Sequence, residues 1–580
     1  MQRLLIKFFL LQVCSLLILC PGNLFRAQSF SDILPDYPQI VVDVNINPSD
    51  DYLFLGLTAL GAGHLLILDN NATPVFYKKV EGVIFNFLWQ ENGELTYNIF
   101  PDSSFGLDSS GSFVNKFITP DSIDFNFHEL TVLEDGTYYV LGDERVVVDL
   151  SHIVPGGRTN ATLITQNILH MDAQNNEIWR WRSFDHYDIL DADSAVILTQ
   201  SVIDWSHCNS IKIDYDGNIL LSTRNFNEVT KINRQTGNII WRFGGERNQF
   251  QFINDSRRFA RQHDVKRNAA GNLILFDNGV RLEPQYSSLV EYALDEDSLT
   301  ATLVRRFSRD ETVWSRIRGG VQGLPNGNHL ISWGESDEPA VTEINSDNEI
   351  VYEISFPNGG HRYRSFRFPW KTNYFSVNTD SLNFGTVSVG DSLIKNIWVK
   401  NNGNDTAIIN QFYFIDSTFT VLNKLPINIT RNDSVELEVK FKPYSEGYFE
   451  DQLNIRYVND TLLLGQQVDL FGSTNRVTAE DNNNNPINAF SLFQNYPNPF
   501  NPGTTIIYSI PVQSQVTIKI FNSLGENVVE LVDLMQSEGN YQVEWNAGNV
   551  ASGIYFYSIE AVPVDGSDIF RSVRKMILLK

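Results

Sequence analysis

Cysteine is almost missing from this sequence of 580 residues, which contains three. Cys14 and Cys20 lie in an N-terminal segment that we predict to be removed, so Cys208 alone remains in the mature chain. A single cysteine excludes an internal disulfide. We therefore expect the stability of the mature protein to come from buried apolar surface.

Long apolar runs are also missing, except for one at the N-terminus. Basic residues precede an apolar stretch from Phe8 to Cys20, and small and polar residues follow it, with Ala27 as the last residue before cleavage. This run is too short to cross a membrane and is typical of a secretory signal. We predict that residues 1–27 are a signal peptide and that the protein is exported. A buried N-terminal helix and a lipoprotein signal at Cys20 are the alternatives.

Basic residues are too few to balance the acidic ones. The sequence has 44 lysines and arginines against 69 aspartates and glutamates, and its formal net charge is -25. An acidic surface repels a phosphate backbone, which argues against a nucleic-acid partner. The same charge favours solubility outside the cell.

Signals for helices are few. Short alternating apolar runs dominate, separated by Asn-Gly, Asp-Gly and Asn-Asn turns, a pattern typical of antiparallel strands joined as hairpins. One recurring piece is a turn followed by a strand that we interpret as an inner strand, at Asp135 (DGTYYVL), Asp216 (DGNILLS), Ala270 (AGNLILF) and Asn326 (NGNHLIS). A second recurring piece consists of a strand, a polar turn and an aromatic strand, as in VTKINRQTGNIIWRF. The two pieces alternate and give about six four-stranded units. This repeat predicts a six-bladed β-propeller at residues 28–370, and an open array of sandwiches is the alternative.

The pattern changes after Trp370. Residues 371–476 contain about seven strand-like runs in about a hundred residues, which predicts an immunoglobulin-like β-sandwich. An Asn-rich stretch at residues 477–489 indicates a linker. Residues 490–580 contain further strand-like runs. The sequence thus predicts an all-β protein, with a six-bladed β-propeller followed by two immunoglobulin-like β-sandwich domains.

The last unit carries specific motifs: YPNPFNP, then ASGIYFY, and a basic tail that turns apolar at its end. Together they resemble the C-terminal sorting domain of the type IX secretion system. The resemblance implies that the outer-membrane machinery of that system is a partner and usually removes this unit. It also implies that the protein passes through the periplasm and the outer membrane and is secreted or held at the cell surface.

Histidine is rare, with nine in the chain, yet three occupy one position of the repeat. His128, His207 and His263 precede the glycine of the recurring turn by 8, 10 and 8 residues. Equivalent positions in successive blades point at the same axis, so we expect three imidazoles to converge at one end of the central channel. Arg224, at the end of ILLSTR in the unit that carries His207, is expected to reach the same space.

Such a cluster admits two chemistries. Three imidazoles alone suit a zinc ion. An adjacent arginine repels a divalent cation, and together with imidazole donors it suits a tetrahedral oxyanion. We therefore favour an anion over a metal, and predict neither a metal nor a cofactor. Histidines that only satisfy the turns are the structural alternative.

The order of the motifs HEL…DG, DWSHCNSI…LLSTR and QHDV…ILFDNG resembles the bacterial arylsulfotransferases, a family of six-bladed propellers, over residues 45–370. The resemblance implies that His263 is a nucleophile that forms a sulfohistidine. It implies that His128, His207 and Arg224 hold the sulfuryl oxygens and that Asn209 is a further substrate contact. A phenolic sulfate donor and a phenol acceptor would then react by a ping-pong mechanism without a nucleotide.

The sequence departs from the enterobacterial members in its short region before the first blade and in lacking a cysteine pair. Both bear on dimerisation, so the sequence does not indicate an oligomeric state. Two other classes of function stay open. One is a non-catalytic propeller at the cell surface that binds an anionic ligand, and the other is a metal-dependent hydrolase or lyase that uses the three histidines.

Overall fold

The computed structural model describes residues 36–474 and 490–578, apart from 102, 373, 404, 415, 416, 446, 494, 496–499, 523–525, 549 and 568. The predicted signal peptide at residues 1–27 and the predicted linker at 477–489 lie outside the described residues. Within the described ranges, no helix is long and apolar enough to cross a membrane.

The first part of the chain consists of strands β1 to β27. Their bounds are β1 (Val41–Asn45), β2 (Tyr52–Ala59), β3 (Ala62–Leu68), β4 (Pro74–Val80), β5 (Val83–Trp89), β6 (Leu95–Phe100), β7 (Ser103–Leu107), β8 (Phe113–Phe117), β9 (Asp124–Val132), β10 (Tyr138–Val148), β11 (Ala161–Met171), β12 (Glu177–Arg182), β13 (Val202–Asp204), β14 (Cys208–Ile213), β15 (Ile219–Thr223), β16 (Glu228–Ile232), β17 (Ile239–Gly244), β18 (Gln251–Ile253), β19 (His263–Arg267), β20 (Leu273–Asp277), β21 (Ser288–Asp295), β22 (Thr300–Phe307), β23 (Gly320–Gly323), β24 (His329–Ser332), β25 (Val341–Ile344), β26 (Ile350–Ser355) and β27 (His361–Phe368). The helical segments between them are α1 (Ser183–His186) and two 3-10 turns, Ile189–Asp191 and Arg224–Phe226.

These strands form six sheets in chain order. Sheet 1 is β27-β2-β3-β4, sheet 2 is β5 to β8, sheet 3 is β9 to β12, sheet 4 is β14 to β17, sheet 5 is β19 to β22 and sheet 6 is β23 to β26. Three further strands extend them, since β13 pairs with β11, β18 with β22 and β1 with β26. Within the four principal strands of each sheet, neighbours are antiparallel, as the hairpin pattern predicts.

One strand of each sheet contacts its counterparts in the neighbouring sheets. Strand β5 contacts β9, β9 contacts β14, β14 contacts β19, β19 contacts β23 and β23 contacts β27. Strand β27 in turn contacts β5. We call these six the inner strands. The assignment of the DGNILLS-type segments to the inner strand is therefore wrong: they form the second strands β10, β15, β20 and β24. Both strands of each hairpin are apolar, so the pattern does not tell which one lies inside.

Sheets 1 and 6 combine strands from both ends of this region. In sheet 1, β2 pairs with β27, so that Leu53 lies opposite Arg367. In sheet 6, β1 pairs with β26, so that Val41 lies opposite Ser355. The residues that begin this region are thus hydrogen-bonded to the residues that end it.

Apolar clusters fill the spaces between consecutive sheets. Between sheets 3 and 4, Leu141 and Trp181 pack with Ile211 and Leu221, and all four are buried. Burying each such side chain contributes about 1.5–3 kcal/mol. Cys208 is free and buried, so no disulfide stabilises the described chain. These apolar contacts provide its stability instead.

The second part of the chain consists of β28 (Phe375–Val377), β29 (Ser381–Thr386), β30 (Leu393–Asn401), β31 (Ala407–Ile409), β32 (Gln411–Tyr413), β33 (Phe419–Val421), β34 (Ile427–Ile429), β35 (Ser434–Phe441), β36 (Tyr448–Val458) and β37 (Leu462–Ser473). The sheet β28-β30-β35-β33 and the sheet of β32, β36, β37 and β29 enclose a core that includes Ile397, Val439, Leu453 and Val468. Strand β37 also pairs with β4, so one continuous sheet of eight strands joins sheet 1 to this sandwich.

The third part consists of β38 (Ser491–Leu492), β39 (Gly503–Ile510), β40 (Ser514–Asn522), β41 (Asn527–Gln536), β42 (Gly539–Asn546), β43 (Gly553–Pro563) and β44 (Phe570–Leu578). The sheets β38-β39-β42 and β41-β40-β43-β44 pack through Ile506, Tyr508, Ile518 and Tyr557. The prediction of an all-β chain is confirmed, because strands make up nearly all the regular structure of the described residues.

Candidate functional site

The three histidines that were predicted to converge lie on or directly before the inner strands of consecutive sheets. His128 is in β9, His207 directly precedes β14 and His263 begins β19. The ring centroids of His128 and His207 are 5.1 Å apart. The ring centroid of Tyr363 is 5.6 Å from that of His128 and 6.0 Å from that of His263. The structure thus brings the three imidazoles together, and we call them, with Arg224, the histidine site.

Arg224 reaches this cluster from the turn that follows β15. Its backbone N–H donates to the carbonyl oxygen of His207 at 3.0 Å. Its Nη1 donates to Oδ1 of Asn225 at 3.1 Å, and its Nε has no hydrogen-bond partner among the described residues. Burial, and then the charge of Arg261, lower the pKa of Arg224 to about 10. The guanidinium is therefore poorly solvated, cationic at neutral pH and left with a donor for an anion.

The ring of His263 is oriented by Asn278, at the end of β20. Nδ1 of His263 lies 2.7 Å from Oδ1 of Asn278. The amide orientation of Asn278 is fixed, because its Nδ2 donates to the carbonyl oxygens of Ser315 at 2.7 Å and Arg318 at 2.9 Å. An amide oxygen only accepts, so Nδ1 of His263 carries the proton and donates. The lone pair of the neutral ring is consequently on Nε2.

The other two histidines are held through Nδ1 in the same way. Nδ1 of His128 lies 2.7 Å from Oδ1 of Asn126, whose Nδ2 donates to Asp143 at 2.8 Å. Nδ1 of His207 lies 2.5 Å from a carboxylate oxygen of Asp204. In all three rings, Nε2 is thus the nitrogen left for a ligand. The sequence interpretation missed these orienting residues, although each is close in the chain to its histidine.

Burial keeps two of the imidazoles neutral. It lowers the pKa of His263 well below 6.5; the charge of Arg224 acts in the same direction, and the hydrogen bond to Asn278 opposes it. It also lowers the pKa of His128 well below 6.5, with His207 and His263 adding to the effect. A neutral imidazole is a nucleophile, whereas an imidazolium is not.

Asn209 lies in β14 and is fully buried. Its Nδ2 donates to the carbonyl oxygen of Gln262 at 2.8 Å, which ties β14 to the residue before His263. Its carbonyl oxygen accepts from Arg364 at 2.6 Å and from the hydroxyl of Tyr363 at 3.3 Å. Its Oδ1 has no hydrogen-bond partner in the described part of the chain. The role of Asn209 as a substrate contact stays a prediction, for which Oδ1 is the available atom.

Tyr363 and Arg364 reach the site from β27, the inner strand of sheet 1, and the sequence interpretation missed both. Nη1 of Arg364 lies 2.7 Å from Oε2 of Glu129 and 3.4 Å from Oδ1 of Asp264. Opposing effects act on the pKa of Arg364: burial lowers it, but Asp264 and Glu129 raise it above the ordinary value. The segment RYRSFRFPW was visible in the sequence as aromatic and basic, but nothing in it indicated which side chains face the histidines.

Two lysines complete the charged network around Arg364. Nζ of Lys212 lies 3.1 Å from Oε1 of Glu129, and Nζ of Lys266 lies 2.9 Å from Oδ2 of Asp264. Three cations thus face two carboxylates, which leaves the network with one positive charge in a chain whose net charge is -25. With Arg224, these charges favour an anion and disfavour a divalent cation. No three His, Cys, Asp or Glu side chains of the described residues are grouped so that they could hold a metal ion.

An aromatic surface leads from the histidine site outward. Phe127 stacks on His128 with ring centroids 4.4 Å apart, and Phe85 lies 4.1 Å from Phe127. Phe85 also contacts Tyr363 at 5.4 Å, and Phe100 lies 5.1 Å from Phe127. Phe100 is 49% exposed. The surface therefore runs from solvent to the imidazoles and is suited to stack against a planar apolar ring.

Cys208 adjoins His207 but is not placed for thiol chemistry. Its side chain is buried, and its Sγ lies 3.8 Å from Oγ1 of Thr223. Burial raises the pKa of the Cys208 thiol to about 12. The thiolate is therefore not available at neutral pH.

Comparison with known protein families agrees with this organisation. Residues 108–357 match the family model described as arylsulfotransferase (ASST). Residues 373–467 match a HYDIN/CFA65/VesB-like, Ig-like domain, and residues 494–565 match a secretion system C-terminal sorting domain. No curated protein sequence matches the chain.

Several solved structures are similar at low identity. A protein of unknown function from Bacteroides caccae is 13% identical with a TM-score of 0.36, covering 55% of this chain and 99% of its own. Virginiamycin B lyase from Staphylococcus aureus is 8% identical with a TM-score of 0.26, covering 70% and 99%. PorZ, a surface component of the type IX secretion system of Porphyromonas gingivalis, is 13% identical with a TM-score of 0.22, covering 93% and 82%. At such low scores, these likenesses carry no argument about function.

Proposed function

We propose that this exported protein, which carries an arylsulfotransferase domain, is an active aryl-sulfate sulfotransferase. It moves a sulfuryl group from a phenolic sulfate ester to another phenol through a sulfohistidine on His263, without a nucleotide donor. The observation that carries the proposal is the meeting of His128, His207, His263 and Arg224 at one site. That site lies within the residues that the arylsulfotransferase model matches.

The proposed fold is a six-bladed propeller at residues 28–370, with sheets 1 to 6 as its blades. It is supported by the contacts of the inner strands, which return from β27 to β5. We propose sandwich domains at residues 371–476 and 490–580. The second is proposed as the unit that the type IX machinery recognises, in line with the sorting-domain match.

In the first half-reaction, Nε2 of His263 attacks the sulfur of the donor. The N–S bond forms as the bond between sulfur and the aryl oxygen breaks, and a phenolate leaves with the electron pair. A phenol has a pKa of about 10, so the phenolate is a moderate leaving group. In the second half-reaction, a second phenol loses its proton to solvent, its oxygen bonds to sulfur and the N–S bond breaks, which gives ping-pong kinetics.

Negative charge accumulates on the three sulfuryl oxygens during both transfers. The partnerless Nε of Arg224 is the donor that would meet this charge. Nε2 of His128 and of His207 lies beside it and would hold a sulfuryl oxygen only when that ring carries a second proton, because Nδ1 already holds the first. The guanidinium donor is fixed before the reaction and lies in a largely desolvated site, where such stabilisation is most effective. A single donor of this kind typically contributes about 10²–10³-fold to the rate.

The aromatic surface supports transfer to a phenol over hydrolysis. A sulfohistidine reacts with water unless water is excluded. Phe85, Phe127 and Tyr363 line the approach to His128 and would cover the bound ring of an acceptor. The acceptor itself would then displace the water that could otherwise attack.

Mass spectrometry of the intact protein and of its peptides tests the proposal. After incubation with phenyl sulfate and removal of the donor, we expect a gain of one SO₃ group on the peptide that contains His263. Adding a phenol should remove the label and yield the new aryl sulfate. A chelator should change neither step. Turnover with no labelled histidine, or binding of phenyl sulfate without turnover, would contradict the proposal and favour the metal-dependent or the non-catalytic alternative.

The pH dependence of the first half-reaction should reflect the lowered pKa of His263. Because burial and Arg224 hold this pKa well below 6.5, the ring stays neutral as the pH falls past 6.5. We expect kcat/KM for phenyl sulfate to stay level between about pH 6 and 8 and to fall only at lower pH. A fall centred at pH 6.5 in the parent protein would contradict the burial of the nucleophile.

Asn278→Asp provides the matched variant for this measurement. A carboxylate beside Nδ1 stabilises the imidazolium, as an opposite charge within about 4–6 Å does, and so raises the pKa of His263. The fall in kcat/KM should therefore move to higher pH in the variant, while activity at alkaline pH is retained. A thermal denaturation scan checks that the lost bonds from Asn278 to Ser315 and Arg318 have not unfolded the protein.

A further inference from the structure

A pocket lies beside the histidine site where the ends of sheets 4 and 5 meet. It has a volume of about 340 Å³. Its lining includes four arginines, Arg257, Arg258, Arg261 and Arg281, against two carboxylates, Asp193 and Glu246. The pocket therefore carries an excess of two positive charges in a protein whose formal net charge is -25.

One amide connects this pocket to the histidine site. Oδ1 of Asn225 accepts from Nη1 of Arg224 at 3.1 Å and also from Nη1 of Arg261. Arg224 belongs to the histidine site and Arg261 lines the pocket, so a single amide separates a guanidinium group of each.

The guanidinium groups of the pocket are incompletely neutralised. Oδ1 of Asp193 accepts from Arg261 at 3.0 Å and lies 3.5 Å from Nη1 of Arg281, so one carboxylate serves two cations. Nε of Arg257 is buried and has no hydrogen-bond partner among the residues that the structure describes, and the nearest carboxylate oxygen, from Asp277, lies 3.9 Å away. Burial lowers the pKa of Arg261, Asp193 opposes this, and the charge of Arg281 adds to the lowering. A further anion would relieve the repulsion between these groups.

The backbone of the pocket supports a binding role independently of charge. Arg258, Arg261 and Arg281 have φ values of 62°, 58° and 69°, in the left-handed region that residues with a Cβ rarely adopt. Each such residue costs on the order of 1–3 kcal/mol, and such strain concentrates at ligand sites. Three of the four arginines of the pocket thus hold an unfavourable conformation that directs them around one cavity.

We propose that this arginine pocket binds a second anionic group of the aromatic substrate, a carboxylate or a sulfate, while the phenolic oxygen reacts at the histidine site. The inference rests on the proposed function and narrows it: the preferred substrates are phenols with an acidic substituent. Phe226, Phe259 and Leu282 supply apolar walls for the carbon atoms next to that group. A simple phenol still reacts at the histidine site, but it has no anionic group to bind in the pocket.

Arg281→Gln and Arg258→Gln test the proposal, because neither residue belongs to the histidine site. Transfer from phenyl sulfate is measured to phenol, to 3-(4-hydroxyphenyl)propionate, to the neutral amide of that acid, and to the monosulfate of hydroquinone. We expect the parent protein to show a KM about tenfold lower or better for the two anionic acceptors than for phenol and the amide. Each variant should lose this preference while kcat/KM for phenol is unchanged. A preference for 3-(4-hydroxyphenyl)propionate alone identifies the bound group as a carboxylate, and a preference for the monosulfate of hydroquinone alone identifies it as a sulfate.

Arg145→Gln serves as the matched control, since Arg145 is an exposed arginine on sheet 3, away from the pocket. It should keep the full preference. Calorimetric titration with 3-(4-hydroxyphenyl)propionate and with its amide measures binding without turnover. If Arg281→Gln loses binding of 3-(4-hydroxyphenyl)propionate and the parent protein has no transferase activity, the pocket is an anion site but the proposed function is wrong. If the parent protein transfers the sulfuryl group to phenol and shows no preference for the anionic acceptors, the proposed function stands and the proposed role of the pocket is wrong.

Discussion

His263→Ala should abolish sulfuryl transfer between phenols. The variant lacks the nitrogen that bonds to sulfur, so neither half-reaction can use a covalent intermediate. Loss of a covalent nucleophile typically costs about 10⁵–10⁶-fold in kcat. The assay follows the exchange of the sulfuryl group between two chromogenic phenols, and the mass of the protein after incubation with phenyl sulfate should not change.

The fold should survive this substitution. The variant loses the hydrogen bond between His263 and Asn278 and leaves one amide oxygen without its donor, at a cost of about 1–3 kcal/mol. His152→Ala is the control, because His152 is exposed and outside the histidine site. Exchange by His263→Ala at near the parental rate, with both proteins folded, would show that His263 is not the nucleophile.

Arg224→Ala should lower kcat by about 10²–10³-fold, the usual effect of removing one donor to a developing oxyanion. The reason is that burial leaves Arg224 with a donor that no described residue satisfies, next to the three imidazoles. Stability should change little or rise, because Arg261 no longer faces a second buried cation. Initial rates at saturating phenyl sulfate, together with a denaturation curve, separate the two effects.

Arg224→Lys distinguishes charge from geometry. An ammonium restores the charge but not the planar pair of donors, so we expect only partial recovery of kcat. Arg234→Ala, in an exposed turn of sheet 4, is the control and should retain parental kcat. A parental kcat in Arg224→Ala would remove this residue from the mechanism.

The part of the site that could be predicted from the sequence is the part that the repeat encodes. His128, His207 and His263 stand at one position of three consecutive units, and their spacing from the turn glycine is readable without a structure. The all-β character is readable for the same reason, since hairpin turns recur at short intervals. What the repeat does not encode is which strand of each hairpin lies innermost.

Residues that reach the site across the fold could not be predicted. Tyr363 and Arg364 are about a hundred residues from His263 in the chain, and only the pairing of β27 with β2 brings them to the inner face. Asn278 was visible in the motif ILFDNG, but an asparagine before a glycine is read first as part of a turn. The arginine pocket is hidden in the same way, because its four arginines come from two loops that are separate in the sequence.

The pairing of β27 with β2 also sets the order in which activity can arise. Strand β2 pairs with β27, which lies some three hundred residues later in the chain. Pairing between strands so distant in the sequence slows folding. Tyr363 and Arg364 lie on β27, so every partially translated chain that stops before β27 lacks two of the side chains beside the histidine site. We therefore expect the proposed activity to be absent throughout synthesis and to appear only after β27 has paired with β2.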